Sequence, residues 1–169
     1  MADHKTSHAA QAVLVRRALP ADLDALMELE TKVFVADQMS RRSLRHFLRA
    51  PTAVVLIAEV ASVLAGTATI LFRPKSAVAR LYSIAVAPPM GGRGVASELL
   101  AAAEHVARER ECTHIRLEVH VTNHRAISRY HKTGYQEFGR RQGYYEDGGD
   151  ALRLQKSLAG TGRAVTPVQ

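Results

Sequence analysis

The residues best suited to chemistry lie between Arg80 and Tyr135. There the turn PPMGGRG, Pro88 to Gly94, follows the apolar run LYSIAVAP and precedes VASELLAAAEHVARER, whose apolar positions recur at helical spacing. A strand feeding a glycine turn that opens a helix is a natural anion site. The first helical amides have no intrahelical acceptor, and the helix dipole favours negative charge there. The glycines permit close approach to the backbone and Arg93 adds a cation at the rim. The turn is neither a GxGxxG dinucleotide fingerprint nor the lysine-and-hydroxyl loop of nucleotide hydrolases. Two proton-carrying side chains follow it. Glu118 occupies the polar alternation of an otherwise apolar strand, and Tyr130 the inner face of a helix. Each also has an ordinary reading: Glu118 as a rim carboxylate paired with Arg116 or a neighbouring arginine, Tyr130 as packing.

The elements that must position these groups can be read from periodicity. AVLVRRA, Ala12 to Ala18, is a strand, and LDALMELETKVF a helix with Leu23, Leu26, Met27, Glu30 and Phe34 on one face. Ser40 caps a basic helix, RRSLRHFLRA, that Pro51 closes. Ala53 to Val60 and Leu64 to Phe72 form an antiparallel hairpin in which Gly66 marks a bulge or a close backbone approach. The strand Arg80 to Val86 then leads through the glycine turn to a helix from Gly94 to Arg110. Val95, Leu99, Ala102, Ala103, Val106 and Ala107 are its buried stripe, and Glu98, Glu104, Arg108 and Glu109 are expected to face water. HIRLEVHV alternates as a strand, Asn123 caps the helix HRAISRYHK, and Gly134 ends it. YQEFGRRQGYY runs from a strand into a loop bearing Tyr144 and Tyr145, and DALRLQKSL is the last strand. The fold class expected is α/β, a single domain with a mixed, mostly antiparallel central sheet flanked by helices. Its expected limits are residues 11–158, with a flexible N-terminus at 1–10 and a disordered tail at 159–169.

Composition bounds what surrounds this unit. A chain of 169 residues with 47% apolar and 23% charged residues builds one core without disulfides. The net charge of +7 admits nucleic acid, an acidic protein surface or a phosphorylated cofactor as partner. The lone Cys112 fits a reducing compartment and reads as buried filler rather than nucleophile. With no apolar run of the roughly 20 residues that span a bilayer, and no signal-like segment at the start, a cytoplasmic location is expected. His120 and His124 straddle a strand-to-helix junction outside any HExxH arrangement, so no metal is expected. Arg41, Arg42, Arg45 and Arg49 form a basic helical face, read as solvated, with nucleic acid the less favoured alternative.

VAPPMGGRGVA, Val86 to Ala96, resembles the acyl-CoA-binding signature of the GNAT N-acetyltransferases, and LEVHVTNHRAISRYHKTGY resembles the later stretch of that family, in the right order and at the right separation. Within the family the likeness is to enzymes that acetylate the N-terminal amine of ribosomal proteins. One position departs: Gly91 stands where the family has arginine or glutamine. The resemblance implies the GNAT (acyl-CoA N-acyltransferase) fold and acetyl-CoA as co-substrate. It implies that the amides of Gly92, Arg93, Gly94, Val95 and Ala96, with Gly91 beside them, hold the pyrophosphate. The strand segment Ile84, Ala85 and Val86 would meet the pantetheine arm through its backbone, with Asn123 and Tyr130 nearby. Glu118 would then be the base, acting through water, Tyr130 the acid for the departing thiolate, and the Val86 amide a stabiliser of the oxyanion. Phe34, Glu118, Tyr144 and Tyr145 would line the acceptor site, where Glu146 and Asp147 draw in a cation. The acceptor expected is a protein or peptide N-terminus. Alternatives are a lysine side chain, a small amine such as a polyamine or aminoglycoside, or a non-catalytic CoA-binding module. Neither nucleic acid nor membrane is expected as partner, and a monomer or homodimer is expected.

Overall fold

The computed structural model describes residues 11–159, so the expectations for residues 1–10 and 160–169 fall outside the described residues. The chain runs β1 (Val13–Arg17), α1 (Leu23–Val33), α2 (Arg41–Phe47), β2 (Ala53–Val60), β3 (Val63–Leu71), β4 (Val78–Val86), α3 (Val95–Glu109), β5 (His114–His120), α4 (His124–Lys132), β6 (Gln136–Arg141) and β7 (Ala151–Ser157). Single 3-10 turns at Pro20–Asp22 and Pro88–Met90 precede α1 and the glycine turn. The seven strands form one sheet in the order β1-β2-β3-β4-β5-β7-β6. Every neighbouring pair is antiparallel except β4 and β5, the two strands joined by the α3 crossover.

Alternation along β2 divides the helices between the two faces. Val54, Leu56 and Ala58 pack with the α3 stripe in the larger core, whereas Val55 and Ile57 pack with Leu23, Leu26, Met39 and Leu44 from the α1 and α2 region. The expected α3 stripe is buried throughout. Gly66 satisfies both readings given to it. The register slips between Ala58 and Glu59 so that Ala65 is the extra residue. A Cβ on Gly66 would sit 2.7 Å from the Ala85 carbonyl oxygen and 2.9 Å from Val95 Cγ1, so only glycine lets α3 lie this close to β3 and β4.

Glu104 corrects one expectation. It does not face water but is 6% exposed, because the Tyr135 corner and β7 cover that side of α3. Its carboxylate accepts from the Tyr135 hydroxyl at 3.1 Å and from Lys156 Nζ at 2.9 Å, which satisfies a charge that burial would otherwise penalise. Glu98 and Glu109 are exposed as expected, and Arg108 is half-buried, donating to the Leu158 carbonyl.

Gly66→Ala forces a methyl against backbone and against the first turn of α3. Urea denaturation is expected to show a loss of about 1–3 kcal/mol; unchanged stability would mean that the α3 approach adjusts freely.

Candidate active site

The site begins where β4 and β5 part. They pair in parallel from Val78–His114 to Leu81–Leu117, and no further. Beyond that point β4 stays with β3 from Ser83 to Val86, while Glu118, Val119 and His120 stay with β7. A bulge at Tyr82, skipped between the Ile70–Leu81 and Thr69–Ser83 pairs, bends β4 at the parting. The Ala87 amide donates to Ala65 on the β3 side. By the strand's alternation the backbone groups of Ala85 also face β3, and those of Ile84 and Val86 face the gap. Ile84 and Val86 therefore offer the free edge, whereas Ala85, 2% exposed, contributes wall rather than hydrogen bonds.

The gap opens into a cleft of about 1130 Å³. At one end lies the glycine turn. Gly92 and Gly94 hold φ of +76° and +79°, and a Cβ on either would meet nothing within 4 Å, so the positive φ and not crowding demands glycine there. Gly94 is the N-cap of α3 and supplies no side-chain cap. The first intrahelical bond runs from the Glu98 amide to the Gly94 carbonyl, which leaves the amides of Val95, Ala96 and Ser97 without helical acceptors. Gly91 has ordinary backbone angles, φ −60° and ψ 144°. Gly91, Gly92, Gly94, Val95 and Ala96 line the cleft; Arg93 is exposed and is not part of the lining.

Glu118 and Tyr130 meet in the same cleft. The Glu118 side chain is only 9% exposed, and it is indeed paired with arginines, though not with Arg116. Arg80 Nε donates to Oε2 at 3.2 Å, and Arg153, its cross-strand neighbour on β7, brings Nε to 3.9 Å from Oε1. Arg116 instead donates to Gln155, and its guanidinium, like that of Arg153, lies over the Phe138 ring. Tyr130 is 5% exposed, and burial pushes its phenol up to about 12, so it stays protonated. Asn123 caps α4 by accepting from the Ala126 amide, and its residue also lines the cleft.

Two loops wall the other end. Phe34 and Asp37 come from the segment between α1 and α2, and Tyr144, Tyr145 and Glu146 from the loop between β6 and β7. The loops clasp each other: the Asp37 amide donates to Glu146 Oε2 at 3.3 Å and the Glu146 amide donates to Asp37 Oδ1 at 3.2 Å. Each is anchored behind. Buried Glu30 accepts from the Met39 amide at 2.6 Å, and desolvation pushes its carboxyl up. His120 holds Asp147 at 3.0 Å, its ring 4.9 Å from that of Tyr145, and a Cβ on Gly149 would collide with it. Tyr144 accepts from Arg80 Nη2 at 2.6 Å, so one guanidinium ties the loop to Glu118. Arg80, Arg153 and Asp37 were given no role by the sequence, and Glu30 was placed only on the inner face of α1. Arg153 is revealed only by the β5–β7 register that sets it opposite Glu118, and the Asp37–Glu146 clasp spans a separation that no local pattern encodes. Cys112, buried and with its thiol pushed up by desolvation, lies outside the cleft lining.

With this geometry in place, the comparisons with known proteins decide the family. The model of the Acetyltransferase (GNAT) family matches residues 23–135. The chain belongs to that family. It is an N-acetyltransferase. A Bacillus subtilis relative, provisionally named a ribosomal protein bS18-alanine N-acetyltransferase, is 32% identical over 139 residues, covering 82% of this chain and 91% of the relative. The crystal structure of the Escherichia coli ribosomal-protein-S18-alanine N-acetyltransferase superposes with a TM-score of 0.79 at 22% identity, covering 92% of this chain and 99% of the other. That of the PaiA N-acetyltransferase from Thermoplasma acidophilum, in complex with coenzyme A, gives 0.72 at 19% identity, covering 86% and 99%. Both confirm the sheet and helix arrangement of the GNAT fold. No helix among the described residues is long and apolar enough to cross a membrane.

A raised folded-state value for the Tyr130 phenol means that its contribution to stability is complete below pH 10 and is lost as pH rises through about 12. Denaturant titrations across that window should show Tyr130→Phe losing less stability than the native protein. Parallel losses would place the phenol in water.

Proposed function

We propose that this N-acetyltransferase moves the acetyl group of acetyl-CoA directly to the N-terminal amine of a protein or peptide. The observation that carries the reading is the convergence of an unpaired β4 edge, an uncapped glycine-turn helix, a carboxylate and a buried neutral phenol on one cleft. These features fit the co-substrate. The amides of Gly92 to Ala96 would take the diphosphate, with Arg93 available only from outside, and the Ile84 and Val86 edge would bond the amides of the pantetheine arm. Acetyl-CoA, when bound, supplies the activated acyl group as a thioester.

The residues then divide the work of forming a C–N bond and breaking a C–S bond. Glu118 takes the proton that the amine sheds, through water. The Val86 amide, pointing into the gap, donates to the oxygen that gains charge as the amine adds. Tyr130 gives its proton to the departing sulfur and recovers one from solvent. No covalent acyl-enzyme is needed, and Cys112 is buried away from the cleft. The acceptor end favours an extended cationic chain: Asp37, Glu146 and Glu118 supply negative charge, and Phe34, Tyr144 and Tyr145 supply flat walls. A lysine side chain or a polyamine would satisfy the same charges, so acceptor choice rests on the loop walls. Cytoplasmic action follows from this reading, since acetyl-CoA and nascent N-termini meet there.

Thiol release from acetyl-CoA, followed against peptides with free N-termini, lysine peptides and small amines, tests this reading. Glu118→Gln and Tyr130→Phe are each expected to lower kcat by about 100-fold with CoA affinity retained. Unchanged turnover in both would overturn the assigned roles, and turnover confined to small amines would overturn the acceptor. Gly91 offers a second test. A Cβ there would meet only the Pro88 carbonyl oxygen, at 3.5 Å, an ordinary contact, so the backbone admits a side chain. Calorimetry is expected to show Gly91→Arg binding CoA about threefold tighter at low salt, and no gain would place the diphosphate elsewhere.

A further inference from the structure

Glu104 is the one buried carboxylate among the described residues that lies outside the cleft, and the chemistry above leaves it unused. It sits on α3, the helix whose first amides face the cleft. Its Oε1 accepts from the Tyr135 hydroxyl at 3.1 Å, while Oε2 is 2.9 Å from Lys156 Nζ and 3.9 Å from Arg108. Tyr135, 1% exposed, follows Gly134 at the end of α4, and its amide donates to the Tyr130 carbonyl at 3.0 Å. Its ring meets that of Tyr130 edge to face, centroids 5.4 Å apart at 61°. Among the described residues no hydrogen bond holds the Tyr130 hydroxyl, so the direction of that phenol is set by what packs on its ring.

We infer that Tyr135 and Glu104 are positioning residues, which fix the direction of the Tyr130 phenol relative to the α3 amides through the hydroxyl–carboxylate bond and the ring contact. The inference rests on the role proposed for Tyr130. The thioester is referenced to α3 through its diphosphate, and the proton donor is referenced to α4. A helix pair free to shift would vary the distance between sulfur and phenol. The Tyr135–Glu104 bond ties the end of α4 to the middle of α3, and Lys156 from β7 holds the carboxylate from the other side. Both reacting groups are thereby placed by one rigid frame.

Tyr135→Phe tests this, because it keeps the ring and removes only the hydroxyl. Steady-state rates are to be measured for the native protein, Tyr135→Phe, Tyr130→Phe and the double variant. Tyr135→Phe is expected to lower kcat about tenfold while leaving the CoA dissociation constant unchanged. In the Tyr130→Phe background the same change is expected to alter kcat less than about twofold, since the group it aims is gone. Glu104→Gln, which keeps an acceptor for the hydroxyl, should retain most of kcat, and the carboxylate left by Tyr135→Phe stays paired with Lys156. A tenfold loss in both backgrounds marks a general structural role and overturns the inference, as does native kcat in Tyr135→Phe when Tyr130→Phe is impaired. If Tyr130→Phe itself turns over normally, the proposed acid fails first and the inference fails with it.

Discussion

Everything at this site depends on the parting of two parallel strands. Backbone amides and carbonyls in a protein interior need partners, and an inner strand edge is normally covered by its neighbour. Here β4 and β5 separate after Leu81 and Leu117, with β4 held to β3 and β5 to β7. The Ile84 and Val86 edge is left to face a cleft, and the glycine turn follows within ten residues, at the end of the same strand. An extended ligand with amide groups along its length and phosphates at one end matches both features at once. The bulge at Tyr82 turns the upper part of β4, and Gly66 lets α3 pack close enough that its N-terminus reaches the mouth of the gap.

Charge around the gap is organised by distance from the strands. Glu118 is withdrawn from solvent but held between Arg80 and Arg153, so its position is fixed by opposite charges and not by packing alone. The Arg80 contact to Tyr144 extends that order to the acceptor loop, and the Asp37–Glu146 clasp joins the loop to its opposite wall. Tyr130 is buried too, and desolvation outweighs the nearby Arg129 to keep the phenol neutral. A carboxylate held by two arginines and a buried phenol thus sit in one cleft, alike in burial and different in their charged partners.

Much of this was legible in the sequence because its determinants are local. Periodicity gave the strand and helix order, β2 and α4 to the residue and the other elements to within a few residues at their ends. The αL glycines, the Ser40 and Asn123 caps and the buried stripe of α3 are each set by neighbours in the chain. The candidate cleft residues were also legible, Glu118 on the polar alternation of β5 and Tyr130 on the inner face of α4, with the family resemblance singling them out from their ordinary readings. What was not legible depends on register and on contacts between distant segments. Glu104 lies on the polar side of α3 by periodicity, and only the fold shows Tyr135 and Lys156 arriving to bury it. The free edge needs the pairing of β4 with both neighbours, which also separates Ala85 from Ile84 and Val86. Arg93, within the turn in sequence, is exposed and outside the cleft lining, because position in a turn does not fix where a side chain lies.

Amide hydrogen exchange of the folded protein with and without coenzyme A addresses the parted strands most directly, because it reads the backbone groups themselves. Slowed exchange on ligand addition at the amides of Ile84, Val86 and the segment Gly92 to Ala96, with Ala85 unchanged by virtue of its bond to β3, is the predicted result. Binding that leaves those amides as they were, or protection confined to other surfaces, would contradict it.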